Sequence, residues 1–305
     1  MPLARRQPPG TERESIVEKV KIITDSASDI SPADEAAYGI EIIPFQVSLG
    51  EKTYTSRVDF DNDGFYALMA QYDEIPKTAQ VNPYQFQEIY LDNAQQGVTE
   101  LILVLINSQG SATYGNSLLA REQFFTEYPE YQGKIRIHSF DGRGYSAQYG
   151  APVVEAARRL KDGGSVEAVL AYLEDILPRR EVFFGMYTLK YAAKSGRIPS
   201  AAAFLGDKLN LKPVMQIFGN EIVTAAKCRG ENKLVQKVAE MTAEAIQPGT
   251  PYETICGSDP DCARQLGELL TQMLGYPPAG NYQIGAAIAA NAGPKIVGAA
   301  FARKG

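Results

Sequence analysis

The sequence predicts an α/β protein, with a parallel sheet in its first half and a mixed sheet in its second. Three observations carry this expectation. Apolar runs at Val20–Thr24, Leu101–Ile106 and Ile135–Phe140 alternate with helical patterns, as parallel strands joined by crossover helices do. Further along, Val214–Phe218, Gly219-Asn220 and Glu221–Ala226 read as a β-hairpin with a tight turn. Between the two patterns, Lys161–Ser165 (KDGGS) shifts the composition and marks a boundary.

Taken in order, Val20–Thr24 reads as a buried strand that runs into an Asp/Ser loop. Ser31 caps a short helix through Ala37, which Gly39 ends. Ile40–Leu49 reads as a second strand. Phe60–Gln71 and Pro83–Gln95 have helical patterns, and Pro83 falls in the first turn, where a helix tolerates it. Leu101–Ile106 suits a central parallel strand, and the polar run after it opens a helix. Ile135–Phe140 repeats the strand pattern, and a helix with Pro152 near its start reaches Leu160. Val166, Val169, Leu170, Leu173, Ile176 and Leu177 recur at helical spacing. Val182–Tyr187 and Tyr252–Gly257 read as strands, Leu234–Ile246 and Ala263–Leu274 as helices. Tyr282–Ala289 and Lys295–Ala302 read as two terminal strands.

Composition removes several function classes. A net charge of −6 argues against a broad nucleic-acid footprint. No apolar run reaches the roughly 18 residues of a membrane span. Residues 1–18 hold Arg, Pro and Gly without a hydrophobic segment, and read as a disordered tail rather than a signal peptide. Cys228, Cys256 and Cys262 are odd in number and lack CxxC spacing, so a disulfide framework is not expected and a cytoplasmic location is. The single His, His138, sits inside an apolar strand pattern and reads as structural. That leaves no zinc pair and no well-placed triad base.

What remains is a set of hydroxyl-rich junctions between strands and loops. Asp25, Ser26, Ser28 and Asp29 follow the first strand, and Asn107–Thr113 (NSQGSAT) follows the third. Open α/β sheets bind ligands at the carboxyl ends of their strands, where hydroxyls and free N–H groups suit an anion. Each residue singly also serves as a cap or turn former. Ser195-Gly196-Arg197 adds a guanidinium, suited to carboxylate or phosphate. Phe183, Phe184, Phe204, Leu205, Leu209, Leu211, Met215 and Ile217 make the second half apolar enough for a core, or for a core that includes an acyl tunnel.

Five segments, in order, resemble motifs of the DegV family, the fatty-acid-binding proteins that include the FakB subunits of fatty acid kinase. Thr24–Ile30 (TDSASDI) resembles TDSxxDL, and Thr78–Pro83 (TAQVNP) is similar to TSQPSP. Ile106–Tyr114 (INSQGSATY) resembles ISSxLSGTY, Phe140–Gly150 (FDGRGYSAQYG) resembles IDSxxxSxGxG, and Thr188–Ile198 (TLKYAAKSGRI) resembles TLxYLxKGGRI. The resemblance implies an N-terminal parallel-sheet α/β/α domain at 19–162 and a C-terminal two-layer α/β domain with a mixed sheet at 163–305. A long-chain fatty acid lies between them as the ligand, with no other cofactor and no metal. It implies a non-catalytic carrier, without nucleic-acid binding or membrane insertion. A separate kinase, related to dihydroxyacetone kinases, phosphorylates the bound carboxylate for phospholipid synthesis. It places Thr78, Gln80, Ser108, Ser111, Thr113, Arg197 and Asn291 at the head group, with Ser108 preferred within its motif. One departure stands out: Gly285–Lys295 (GAAIAANAGPK) meets the pattern GxxIGxHxGPG with Asn291 in place of the His. Asn donates a hydrogen bond but carries no charge.

Two other functions fit the residues. One is a small-molecule phosphotransferase or hydrolase using Asp25, Asp29 and the hydroxyl loops, although no GxxxxGK[ST] pattern is present. The other is a lipid-sensing interaction protein without a kinase partner.

Overall fold

The computed structural model of the chain describes residues 18–198 and 211–305. Residues 1–17, and Phe204, Leu205 and Leu209 of the apolar set, lie outside the described residues.

Strand β1 (Val20–Asp25) is buried over its last four residues. Ser31 caps α1 (Pro32–Tyr38), and Gly39, left-handed at φ 64°, ends it. Strand β2 (Glu41–Ile43) pairs parallel with β1 and stops at Pro44, which has no N–H to give the ladder. The single strand expected over Ile40–Leu49 is therefore two. Strand β3 (Gln46–Leu49) leaves the parallel sheet and forms the centre of a small antiparallel one. Its neighbours are β4 (Lys52–Thr55) and β5 (Lys77–Ala79), with α2 (Asn62–Met69) between them in sequence. Helix α3 (Pro83–Gln95) opens with a reciprocal cap between Asn82 and Gln85. Strand β6 (Glu100–Leu105) is buried throughout, as a strand covered on both faces must be. Helix α4 (Thr113–Glu127), strand β7 (Arg136–Asp141) and helix α5 (Ala147–Lys161) complete the first half. The parallel sheet has the order β2-β1-β6-β7.

The chain then forms α6 (Val166–Ile176), capped by Ser165, β8 (Arg180–Met186) and α7 (Lys190–Ser195). A hairpin of β9 (Leu211–Phe218) and β10 (Glu221–Arg229) turns through Gly219-Asn220, both at positive φ. Next come α8 (Leu234–Ala245), β11 (Tyr252–Cys256), α9 (Pro260–Leu274), β12 (Gly280–Gln283), α10 (Ala286–Ala292) and β13 (Ile296–Ala302). The strand expected over Tyr282–Ala289 is thus a short strand followed by a helix. Its alanine-rich run favours helix, and the apolar pattern alone could not tell the two apart. The second sheet has the order β10-β9-β8-β13-β11-β12. Its pairs are antiparallel except β11 with β12, so the sheet is mixed. No helix among the described residues is long and apolar enough to cross a membrane.

Strands β8, β11 and β13 of the second sheet are buried on both faces, and side chains alternate between them. Phe183, Val214, Val297 and Phe301 join Leu234, Val238 and Leu266 of α8 and α9 on one face. Val182, Phe184, Met215, Ile217, Ile255 and Ile296 point to the other face and join the core of the first half. One continuous core therefore spans the two halves.

The first turn of α5 fastens them. Pro152 is its sixth residue, deeper than the sequence pattern implied. Proline there cannot donate to the carbonyl of Gln148, four residues back. Arg180 of β8 fills the gap, donating to the carbonyls of Gln148 (3.2 Å) and Ala147 (3.1 Å), and its charge pairs with Glu253 of β11. All three partners are buried. The Gln148 amide donates in return to the Arg180 carbonyl at 3.0 Å.

Two buried carboxyls join the loops of the first half. Asp25 accepts from the N–H groups of Ala27 (3.0 Å) and Ile106 (2.7 Å) and from the Tyr149 hydroxyl (2.6 Å). Burial pushes its pKa up to about 6, against the lowering by these donors. Asp29, left-handed at φ 52°, accepts from the Gly285 N–H at 2.7 Å, at the start of α10. Its second oxygen has no hydrogen-bond partner, and burial pushes its pKa up to about 7.

Replacing Arg180 by Leu leaves Glu253 buried and uncompensated. Unfolding by urea should show a loss of about 3–5 kcal/mol, and Arg180→Leu with Glu253→Leu should lose less than the single variant. An equal or larger loss in the double variant would remove the pairing as the cause. Asp29 has a second consequence. Its carboxyl stays protonated in the folded chain to higher pH than in the unfolded chain, so it stabilises the fold below about pH 4. That contribution is lost as pH rises toward 7. Asp29→Asn keeps an acceptor for Gly285 and removes the titration. Its melting temperature should exceed that of the parent at pH 8 and match it near pH 4; a constant difference across that range would exclude Asp29 as the source.

Candidate functional site

In the parallel sheet β1 lies between β2 and β6, so the loops after β1 and β6 diverge from neighbouring strand ends. Such a switch point opens a crevice at the carboxyl edge. Here the inner face of the second sheet closes over it. The enclosed cavity holds about 940 Å³ of empty space, its open mouth included.

Most of the lining is apolar. Val182, Phe184, Ile217, Ile255 and Ile296 come from the inner face of the second sheet, and Ile284, Ala287, Ile288 and Ala292 from α10 and its approach. The small side chains of α10 let that helix approach closely. Phe45 and Ile106 add the first half's share. The polar lining is Thr78, Gln80, Ser111, Tyr145, Ser146, Arg197 and Asn291. Among the lining residues Arg197 carries the only charge, and it forms no ion pair among the described residues. Gly196, left-handed at φ 73°, ends α7 and releases Arg197 from the helix; its guanidinium donates to the Ser195 carbonyl at 2.9 Å.

Of the seven head-group residues expected from the sequence, Thr78, Gln80, Ser111, Arg197 and Asn291 line this one cavity. Thr78 sits on the edge strand β5, opposite Val47. Ser111 is 2.9 Å from the Thr113 hydroxyl, which also accepts from the Val81 N–H at 3.3 Å. Thr113 is thus fully buried behind Ser111 and ties two polar segments together. Asn291 donates to the Ala287 carbonyl within its own helix at 2.9 Å. Ser108 lies outside the lining. Its hydroxyl donates to Asp141 at 2.5 Å and its N–H to the same carboxylate at 3.1 Å. Asn220, at the hairpin tip, donates to Asp141 at 2.8 Å, so this cluster pins the second half onto the end of β7.

Tyr145 and Ser146 were not among the expected residues. They follow β7 at a third hydroxyl-bearing strand end, and the rule that singled out the first two junctions would have found them. Ser146 sits at φ 54° and ψ −137°, a region most side chains avoid, held by its N–H bond to the Ala27 carbonyl at 2.8 Å. Its buried hydroxyl lies beside Asp29 without completing a hydrogen bond. Burial pushes the Tyr145 phenol up to about 12, against the pull of Arg197, so it stays protonated at neutral pH.

Neither Asp25 nor Asp29 lines the cavity. His138 pairs with Glu100 at 2.8 Å, within the sheet rather than at its carboxyl edge. Cys228, Cys256 and Cys262 are free and buried.

Comparison with known proteins gives this arrangement a context. A family model described as "Uncharacterised protein, DegV family" matches residues 19–304. A DegV domain-containing protein of Clostridium perfringens is 27% identical over 293 residues, covering 93% of this chain and 99% of its own length. A DegV family protein from Thermus thermophilus, described as fatty acid binding, is 28% identical with a TM-score of 0.79, covering 93% of this chain and 99% of that one. A stearic-acid-binding protein from Eubacterium ventriosum shares the fold at a TM-score of 0.83 and 24% identity, covering 93% and 98%. With nearly its whole described length matched by one family model, and with the parallel and mixed sheets of the solved members, the chain belongs to the DegV family.

Proposed function

We propose that this protein binds a long-chain fatty acid in the cavity between its halves, taken as domains meeting near residues 162–163. In this reading it presents the carboxylate to a separate, dihydroxyacetone-kinase-like fatty acid kinase in the cytoplasm, for acyl-phosphate formation and phospholipid synthesis. The protein itself is a carrier without catalytic activity. The observation that carries the reading is the lining: among the described residues it is mostly apolar, with one cation and no carboxylate. A buried acyl chain contributes about 0.8 kcal/mol per CH₂. A carboxylate then needs only a few donors to avoid an uncompensated charge. Thr78, Gln80, Ser111, Arg197 and Asn291 supply them, Thr113 holds Ser111, and Ser108 orders the loop through Asp141. The fatty-acid-binding member from Thermus thermophilus supports the same ligand class.

A phosphotransferase or hydrolase reading has less support, because the carboxyls it would use are engaged elsewhere. Asp25 accepts three hydrogen bonds and Asp29 holds the start of α10. A sensor without a kinase partner rests on Asn291 alone.

Native mass spectrometry of the purified protein should show a bound long-chain fatty acid, and a delipidated sample should rebind one. Thr78→Ala and Ser111→Ala should each weaken that binding by about 1–3 kcal/mol with the fold intact. Adding ATP and a fatty acid kinase should release acyl phosphate, whereas ATP alone should not turn over. ATP turnover by the lone protein would reverse the assignment to a carrier, and unchanged affinity in both variants would place the head group elsewhere.

A further inference from the structure

Gly110 has no conformational need to be glycine, because its backbone is not left-handed. Its need is for space. A Cβ built there would overlap the Tyr145 hydroxyl oxygen and come within 3.0 Å of the ring carbon that bears it. The phenol thus occupies the volume a side chain at 110 would fill. Gly110 and Tyr145 both line the cavity, beside Ser111 and Arg197. The Tyr145 hydroxyl makes no hydrogen bond among the described residues, yet it is not sealed among the buried, unpartnered polar atoms. A half-buried phenol usually finds a partner. The nearby charges are Arg197, which favours an anion beside it, and Asp141, whose oxygens accept from Ser108, Arg143 and Asn220. Asp141 therefore does not take the phenol proton, and the open acceptor position lies in the cavity.

We propose that Tyr145 is a head-group donor, admitted by Gly110, and that it makes the cavity select a free carboxylate over a neutral head group of the same chain. The proposal rests on the fatty-acid reading. With Arg197 it gives the ligand one charged and one neutral donor from opposite halves of the protein. A phenol donates to a carboxylate more strongly than to an ester carbonyl, since a bond to an ionised acceptor is the stronger kind. The donor persists across the physiological range, since a phenol ordinarily titrates near 10 and burial raises this one further.

The test compares palmitate with methyl palmitate, by titration into delipidated protein. Tyr145→Phe keeps the ring and removes the oxygen. It should weaken palmitate binding about tenfold, leave methyl palmitate within about twofold, and keep the melting temperature of the parent. Gly110→Ala should push the phenol aside and produce a similar loss for palmitate. Combined with Tyr145→Phe it should add little, because the two changes remove one interaction. Unchanged palmitate affinity in Tyr145→Phe, equal losses for acid and ester, or additive losses in the double variant would each overturn the proposal. If the parent protein binds neither probe, the fatty-acid reading fails first and this one with it.

Discussion

The first turn of α5 is the joint on which the architecture depends. Within five residues, Tyr145 and Ser146 face the cavity, the carbonyls of Ala147 and Gln148 receive Arg180, and Tyr149 reaches Asp25. Gly150 follows, packed so closely on the Ser28 carbonyl that a Cβ would overlap it. The two larger sheets meet there: the loop after β1, the end of β6 through Asp25 and Ile106, and β8 and β11 through Arg180 and Glu253. Pro152 makes this possible by withdrawing one N–H, which leaves a carbonyl free for a partner from outside the helix. A residue that weakens a helix locally here directs its attachment to the rest of the protein.

The cavity follows from the same geometry. The inner face of the second sheet carries Val182, Phe184, Ile217 and Ile296, which elsewhere along its length pack against the first half. Where the strand-end loops of the first half recede, the same face lines empty space instead. The site is thus an unfilled part of the core, bordered by hydroxyls because strand ends at a switch point leave them there. An apolar chain placed in it would complete a packing pattern the protein already has. The inner face has no separate hydrophobic cluster of its own, so the ligand volume and the contact between the halves draw on one surface.

Much of the fold was legible in the sequence because its strands are extreme. β6 is buried at every residue, and a run such as Leu101–Ile106 has few alternative readings. The hairpin turn at Gly219-Asn220, the cap at Ser31 and the first-turn proline Pro83 were readable from local chemistry. The misreadings came where two elements abut without a polar break. Pro44 divides β2 from β3 with only one further residue between, and only Ile284 and Gly285 separate β12 from the apolar run of α10. At the site, residue type gave the right neighbourhood but not direction. Ser108 and Ser111 stand three positions apart in one motif. The carboxylate that draws Ser108 away is Asp141, 33 residues along the chain and visible only once β6 and β7 pair. Tyr145 follows a strand end of the same kind, but that its phenol fills the space left open at Gly110 is visible only in the structure.

Strand β13 lies between β8 and β11, and among the described residues it is the only strand that links the two parts of the second sheet. Without it, β10-β9-β8 and β11-β12 are separate pieces, and the cavity loses Ile296 from its wall. On the ribosome this strand is made after every other element described. The first sheet can pair while synthesis proceeds, but the second has no keystone until residue 302 has emerged. Until then the strand edges of β8 and β11 stand unpaired, and so does the apolar face destined for the interior. A nascent chain stalled before residue 296 would therefore have an incomplete cavity wall. It would expose the sticky edges by which chaperones and proteases recognise unfinished protein.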